Sequence, residues 1–290
     1  MEIAKNETLI SPMELQQSPL YETYIQSLHW HVETIENIKI FVRTFPILGG
    51  IAKMQRFDTL PDINNMLPML KKYNVKRFVL EAGPNVNEDV LIRYKNALNT
   101  YVRVLETPFI PSKTILVDIH KPENEIFERF LEAKRRGVRR AIKNGVFVIE
   151  TDTIDELIRV KNKSAGMFGF VTTSGAKNMW QAFQPGHATV LLAYQHHSKQ
   201  SLGGIFLIFW KDVAYYWIAG ATKKGKKLAA PTLLVWEAIK SARKRKIKYF
   251  DFLGVWDERF PSDNRDWLGF TKFKEGFGGN ELYYPTHKKH

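Results

Sequence analysis

The chain has 290 residues, 44% of them hydrophobic and 25% charged, so it is long enough for two globular domains and too apolar to stay unfolded. Its 43 Lys and Arg against 30 Asp and Glu leave a net charge of +13. An excess of that size points to an anionic partner (nucleic acid, a phosphorylated metabolite or an acidic membrane surface), with a mere solubility charge as the plainer alternative. The lack of cysteine excludes disulfides, thiolate metal sites and a cysteine nucleophile, and fits a reducing compartment.

In chain order, residues 1–17 carry no clear period, and MEIAKNETLI lacks the charged lead and long apolar core of a signal peptide. A helix is predicted over 18–32, where Leu20, Tyr24, Ile25 and Leu28 recur after a Ser-Pro start. Strands follow at 38–45 and 47–54, a helix at 61–73, a strand at 76–82 ended by Gly83-Pro84, a helix at 88–98 and a short strand at 101–105. Pro108 and Pro111 mark a crossover. Beyond it come a strand at 114–119, one long helix over 122–143 stopped by Asn144-Gly145, a strand at 146–150 and a helix at 153–163 with acidic residues in its first turn. A helical turn is expected at 178–183. Three apolar runs, 189–195, 203–210 and 213–219, read as an antiparallel meander; Lys211 and Asp212 interrupt the longest apolar stretch, which is too short to span a bilayer. A helix at 231–246, a strand at 249–254, a polar loop, a short helix ending in glycines and an edge strand at 281–284 close the chain. Strand pairs and helices alternate alike in both halves. The class is α+β (mixed α/β), two similar modules divided near residue 110 into 1–110 and 111–290, in a soluble cytoplasmic protein.

Several residue groups invite chemistry. Asp251 sits between aromatics in Tyr249-Phe250-Asp251-Phe252, where burial would raise its pKa and fit it for general-base work or for anchoring an amine, the alternative being a carboxylate paired with a nearby cation. Phe273-Lys274 places an aromatic beside a cation. In the densest basic run, Arg135 and Arg139 lie one helical turn apart, as do Arg136 and Arg140, so that paired guanidiniums on one face can fork a diphosphate. Lys53 and Arg56, at the end of an early strand, are further phosphate candidates. Lys223-Lys224-Gly225-Lys226-Lys227 joins a strand to a helix, and Tyr215, Tyr216 and Trp217 are candidates to line a channel. His29, His31, His196 and His197 lack metal-ligand spacing, so no metal site is expected.

A set of motifs in order resembles the FemABX peptidyltransferase family. They are Gln26-Ser27-Leu28-His29-Trp30; Gly83-Pro84 (with Glu81-Ala82 where that family has Arg); Pro111-Ser112-Lys113-Thr114 with Val117-Asp118-Ile119; the basic helix leading into Asn144-Gly145-Val146; Tyr249-Phe250-Asp251-Phe252-Leu253-Gly254; and Phe273-Lys274-Glu275-Gly276-Phe277-Gly278. The resemblance runs from about Pro19 to Pro285. It implies two acetyltransferase-like (GNAT) modules in tandem with the site between them; no coiled-coil arm is visible. The implied activity is transfer of an amino acid from aminoacyl-tRNA to the stem-peptide amine of a peptidoglycan precursor, without cofactor or metal. The implied partners are aminoacyl-tRNA and a nucleotide- or lipid-linked muropeptide, with peripheral contact to the cytoplasmic membrane. On this resemblance Lys274 stabilises the developing oxyanion and Phe273 packs on the tRNA terminal adenine. The arginine run, Lys53 and Arg56 meet phosphates, Tyr216 lines the acceptor channel, and Lys223 and Lys224 meet the tRNA backbone in place of the glycine-rich coenzyme A loop. An acyl-coenzyme A N-acyltransferase of the same fold and a non-catalytic nucleic-acid-binding protein are the competing readings.

Overall fold

The computed structural model describes residues 14–165 and 173–287. Most of the patternless N-terminal stretch, residues 1–13, lies outside them. The first sheet has five strands in the order β1 (His31–Ile35), β2 (Ile38–Phe45), β3 (Gly49–Phe57), β4 (Val75–Ala82) and β5 (Arg103–Leu105). The first three pair antiparallel; β3, β4 and β5 pair parallel, with helices α2 (Ile63–Lys72) and α3 (Glu88–Leu98) as the crossovers. These helices close one face of the sheet over a core that includes Val42, Met54, Phe78, Leu80 and Leu91.

The N-terminal helix α1 is Pro19–Ser27, shorter than the sequence predicts, and β1 is a strand that the helical reading conceals. Ser18 caps the helix start by accepting from the Tyr21 N–H at 3.0 Å. His29 ends it in the left-handed region (φ 62°). The two-residue turn Glu36-Asn37, both with positive φ, then folds β1 back on β2, as hairpin twist requires.

The second sheet has seven strands: β6 (Lys113–Asp118), β7 (Val146–Thr151), β8 (Ala188–Gln195), β9 (Gly203–Trp210), β10 (Val213–Ala221), β11 (Tyr249–Gly254) and β12 (Asn280–Tyr283), in the order β12-β6-β11-β10-β9-β8-β7. The predicted meander is β8-β9-β10, and β10 with β11 is the one parallel pair in this sheet. The predicted single helix over 122–143 is two helices, α4 (Glu123–Glu128) and α5 (Glu132–Lys143). No Pro or Gly breaks it. The Leu131 N–H donates instead to the Gly276 carbonyl at 2.9 Å, and Phe130 turns inward onto Phe127, Trp236 and Phe277, so tertiary contacts override a helical sequence. Gly137 lets α5 close on the helix α9 (Ala230–Lys244): a Cβ there would lie 3.1 Å from Thr232 Cγ2. The other face carries α6 (Asp155–Ala165) and α7 (Ala176–Phe183). The short helices α8 (Lys223–Lys227) and α10 (Leu268–Glu275) complete the set. The longest helix among the described residues has 15 residues, and none of them forms a coiled-coil arm.

The two sheets are tied together at both ends of the chain. Leu15, Tyr21 and Ile25 share a core with Phe206, Ile208 and Tyr215 of the second sheet and with Phe41 of the first. The C-terminal segment returns to the first sheet, where the Thr286 N–H donates to Glu88 at 3.0 Å and His287 Nε2 meets the Leu80 carbonyl at 3.0 Å. Phe130→Ala, emptying a site that is 2% exposed and ringed by aromatics, is expected to destabilise the protein by about 3–5 kcal/mol, read as a lower urea midpoint.

Candidate active site

β10 and β11 run side by side for three residue pairs only, Val213 with Tyr249, Ala214 with Phe250 and Tyr215 with Asp251. Beyond that they part. On the β9 side the register of β10 slips between Tyr216 and Ile218, a bulge at Trp217; on the β6 side that of β11 slips between Asp251 and Gly254, where Leu253 takes a positive φ of 54°. The wedge between the parted strands opens a cavity of about 460 Å³. Its wall includes Tyr215, Tyr216 and Trp217 from β10, Asp251 and Gly254 from β11, and Phe273 and Lys274 from α10. Seven of the residues expected at a site thus meet in one place, since Arg56 from the first sheet lines it too.

Strands that part leave backbone groups without a ladder, and buried side chains satisfy them. Lys274, 8% exposed, donates from Nζ to the Gly254 carbonyl at 2.7 Å. The Asp251 Oδ1 accepts the Leu253 N–H at 2.7 Å. The Thr114 hydroxyl lies 2.5 Å from that same oxygen and 2.9 Å from the Leu253 carbonyl, sharing its proton between them. The Trp256 N–H donates to Thr271 Oγ1 at 2.8 Å. Gly254 has no room for a side chain, because a Cβ would lie 2.4 Å from Pro111 Cγ. Burial pulls the Lys274 ammonium down to about 8, opposed by the negative charge of Asp251 and aided by Lys161. Burial raises the Asp251 carboxyl, against the bonds from Thr114 and Leu253. One Asp251 oxygen is therefore committed to holding the backbone.

The first module contributes Glu14 and Arg56. Arg56 has φ 51° and is buried, and its guanidinium lies 3.2 Å from the Tyr284 ring centre. It donates to the Ala82 carbonyl at 3.2 Å and to the Pro111 carbonyl at 2.5 Å, bracing the crossover between the modules. Glu81 fixes that crossover from the other side by accepting the Phe109 and Ile110 N–H groups at 2.5 and 2.7 Å. Glu14 lines the cavity at 5% exposure; burial lifts it to about 7 although Arg56 opposes the rise. Nothing in the sequence around Glu14 marks it.

Phe273, Tyr216, Ala219, Phe270 and Lys161 also line a second opening of about 620 Å³, so the cavity continues into a cleft along β10 and the start of α9. Arg140, Lys161 and Lys226 give that cleft its charge. Lys161, on α6, was not legible as a site residue. Burial, and then Lys226, lower its pKa. The lysine run is not the open loop expected but a helical turn capped by Thr222, whose hydroxyl accepts the Gly225 N–H at 3.0 Å. That turn brings Lys226 to the cleft and leaves Lys223 and Lys224 exposed outside its lining. Among the arginines Arg140 alone reaches the cleft. Arg135 is spent on Glu132 at 2.7 Å and the Glu128 carbonyl at 2.6 Å, Arg139 lies 5.8 Å from the Phe127 ring, and Arg136 is exposed. Lys53 lies outside the cavity lining, its Nζ 4.0 Å from the Trp30 ring centre and 5.1 Å from that of Phe109.

This architecture is that of two GNAT modules in tandem. The family model described as an acetyltransferase (GNAT) domain matches residues 128–266. The solved structure of FemX superposes with a TM-score of 0.70 over 94% of this chain and 91% of its own, at 15% identity. The C-terminal DUF2156 domain of a protein from Agrobacterium fabrum, described as a lysylphosphatidylglycerol synthetase, gives 0.60 over 93% and 87% at 13% identity. A tandem GNAT protein of the clavulanic acid biosynthesis pathway gives 0.50 over 85% and 81% at 12% identity. No curated protein matches in sequence. The chain thus carries a FemX-like tandem GNAT fold with a GNAT domain in its second half. No helix of the described residues is long and apolar enough to cross a membrane.

Thr114→Val, which strips the shared hydroxyl from Asp251 and Leu253, is expected to cost about 1–3 kcal/mol of stability and to loosen the β11 backbone; thermal unfolding and amide exchange at Leu253 measure both.

Proposed function

We propose that the chain is an aminoacyltransferase that moves an amino acid from aminoacyl-tRNA to the stem-peptide amine of a peptidoglycan precursor. The observation that carries this reading is the buried Lys274 ammonium in the wedge between the parted strands, open to a cleft lined by three cations. The tRNA ester is already activated, so the protein has only to bind, orient and balance charge. The amine attacks the ester carbonyl, the C–N bond forms and the C–O bond to the ribose breaks. Lys274 faces the oxyanion that develops, a role worth a few kcal/mol where such donors act. Glu14 takes the proton that the amine sheds, and the departing ribose oxygen recovers one. Asp251 holds the turn that fixes the Gly254 carbonyl and keeps Lys274 charged.

The cationic cleft suits the tRNA 3′ end, with Phe273 placed where the two openings meet to stack on a terminal base, a contact worth about 1–3 kcal/mol. Lys223 and Lys224 extend the positive charge along the outer rim for the RNA backbone. Lys53, half-buried between Trp30 and Phe109, and the exposed Arg136 and Arg139 are left for phosphates of the acceptor. An acyl-coenzyme A donor is the second reading, favoured by the GNAT domain match. Against it stands the turn between β10 and α9, which has lysines where a glycine-rich pyrophosphate loop belongs.

Labelled amino acids on total charged tRNA, offered with a panel of muropeptide precursors, decide between them. Transfer that RNase abolishes supports the first reading; turnover of acyl-coenzyme A that RNase leaves alone replaces it with the second. Lys274→Met should keep the fold and lower transfer at least ~100-fold. The pH profile of kcat/KM should be a narrow bell. It rises through about 7 as Glu14 ionises and falls above about 8 as Lys274 loses its proton. Glu14→Gln should remove the acid limb, and Asp251→Asn should move the basic limb to lower pH, because the charge that holds the Lys274 proton is gone. An acid limb unchanged in Glu14→Gln would take Glu14 out of the mechanism.

A further inference from the structure

The end of the first sheet opposite the cavity has a different chemistry. Between β2 and β3 the turn Phe45-Pro46-Ile47-Leu48 turns its apolar side chains to solvent: Ile47 is 95% exposed, Leu48 62% and Phe45 40%. Because β3, β4 and β5 are parallel, their starting ends share this edge, and residues 71–77 and 99–103 stand beside the turn. They bring Lys71, Lys72, Lys76, Arg77 and Arg103, and Arg43 joins them from β2; residues 43–50, 71–77 and 99–103 contain no Asp or Glu. Of these six cations only Lys72 has a carboxylate partner among the described residues, Glu33 at 2.7 Å. Lys76 lies against the turn, its Cγ 2.7 Å from where a Cβ on Gly49 would be. Aromatic groups complete the edge: Tyr101 is 57% exposed, and the Arg43 guanidinium lies 5.7 Å from the Phe45 ring and 6.0 Å from Trp30.

An apolar tip ringed by unpaired cations and aromatics is the pattern that a water–lipid interface selects, apolar groups entering the acyl boundary while Lys and Arg meet phosphates. RNA would account for the cations and leave Ile47 and Leu48 in water. A second copy meeting this edge about a twofold axis would set six cations against six. We propose that the β2–β3 tip docks the protein on an anionic membrane, inserting Ile47 and Leu48 at the interface while Lys71, Lys76, Arg77 and Arg103 hold lipid phosphates. Arg56 lies seven residue steps beyond Gly49 along the strand, about 23 Å at roughly 3.3 Å per residue, so the dock stands apart from the cavity and does not depend on which acyl donor the cavity takes.

Sedimentation with vesicles of phosphatidylcholine, alone or mixed with phosphatidylglycerol, tests this. The full chain should pellet with the anionic vesicles only and be released by molar salt. Ile47→Ser with Leu48→Ser should weaken binding at least ~10-fold at an unchanged unfolding temperature, and Lys71→Glu with Lys76→Glu should do the same through charge alone. The proposal is overturned by equal binding to both vesicle types, by unchanged binding of the Ile47→Ser/Leu48→Ser protein, or by no vesicle binding together with a dimer in sedimentation velocity that those two substitutions disperse.

Discussion

The parting of β10 from β11 is the feature on which the rest of the molecule depends. Two parallel strands that separate after three pairs abandon hydrogen bonds in a place where water cannot replace them cheaply. The groups that make good this loss, Lys274, Asp251 and Thr114, are the same groups that give the cavity its chemistry. A lysine that is 8% exposed and bonded to a carbonyl would be a costly ornament in a stable core. Here it closes the backbone on one side and presents a charge to the cavity on the other.

The wedge would still be an open groove without the first module. The N-terminal segment lies across the second sheet through Leu15, Tyr21 and Ile25, and brings Glu14 to the cavity wall. Arg56 braces the crossover through the Ala82 and Pro111 carbonyls, while Tyr284 from the returning C-terminal segment stacks on its guanidinium. Both chain ends therefore tie the sheets together, and the cavity has walls from each. Two carboxyls raised by burial and one ammonium lowered by it follow from that enclosure: a shared low-dielectric space disfavours each charged form, and the attraction between Asp251 and Lys274 restores part of the loss.

The net charge of +13 divides into parts with different work. Some cations pair at once, as Arg135 does with Glu132 and Lys113 with Glu258 and Glu281. Arg140, Lys161 and Lys226 converge on the cleft beside the cavity. Another group gathers without carboxylates at the far edge of the first sheet, around an apolar turn. A count of charges could announce an anionic partner; only their distribution separates the cleft beside the cavity from the apolar-tipped edge of the first sheet.

Much of the fold was legible because hydrophobic period and turn chemistry act locally. The meander, the crossover helices and the Ser18 cap follow from residues near one another in sequence. The motif residues Phe273, Lys274, Asp251 and Tyr216 do meet in one cavity. Where reading failed, a distant group had intervened. Gly276 takes the Leu131 N–H and splits a helix that nothing local interrupts, and the left-handed His29 lets β1 pair where helical spacing seemed to continue. Glu14 and Lys161 have no motif, because it is packing against strands distant in sequence that brings them to the cavity. Local period and composition were enough for most elements, the excess of positive charge and the aromatic–cation pair on α10. The tertiary structure alone decided which cations face the cavity and which are spent on their own helix, because that choice rests on where two strands part and which ends of the chain return to close the gap.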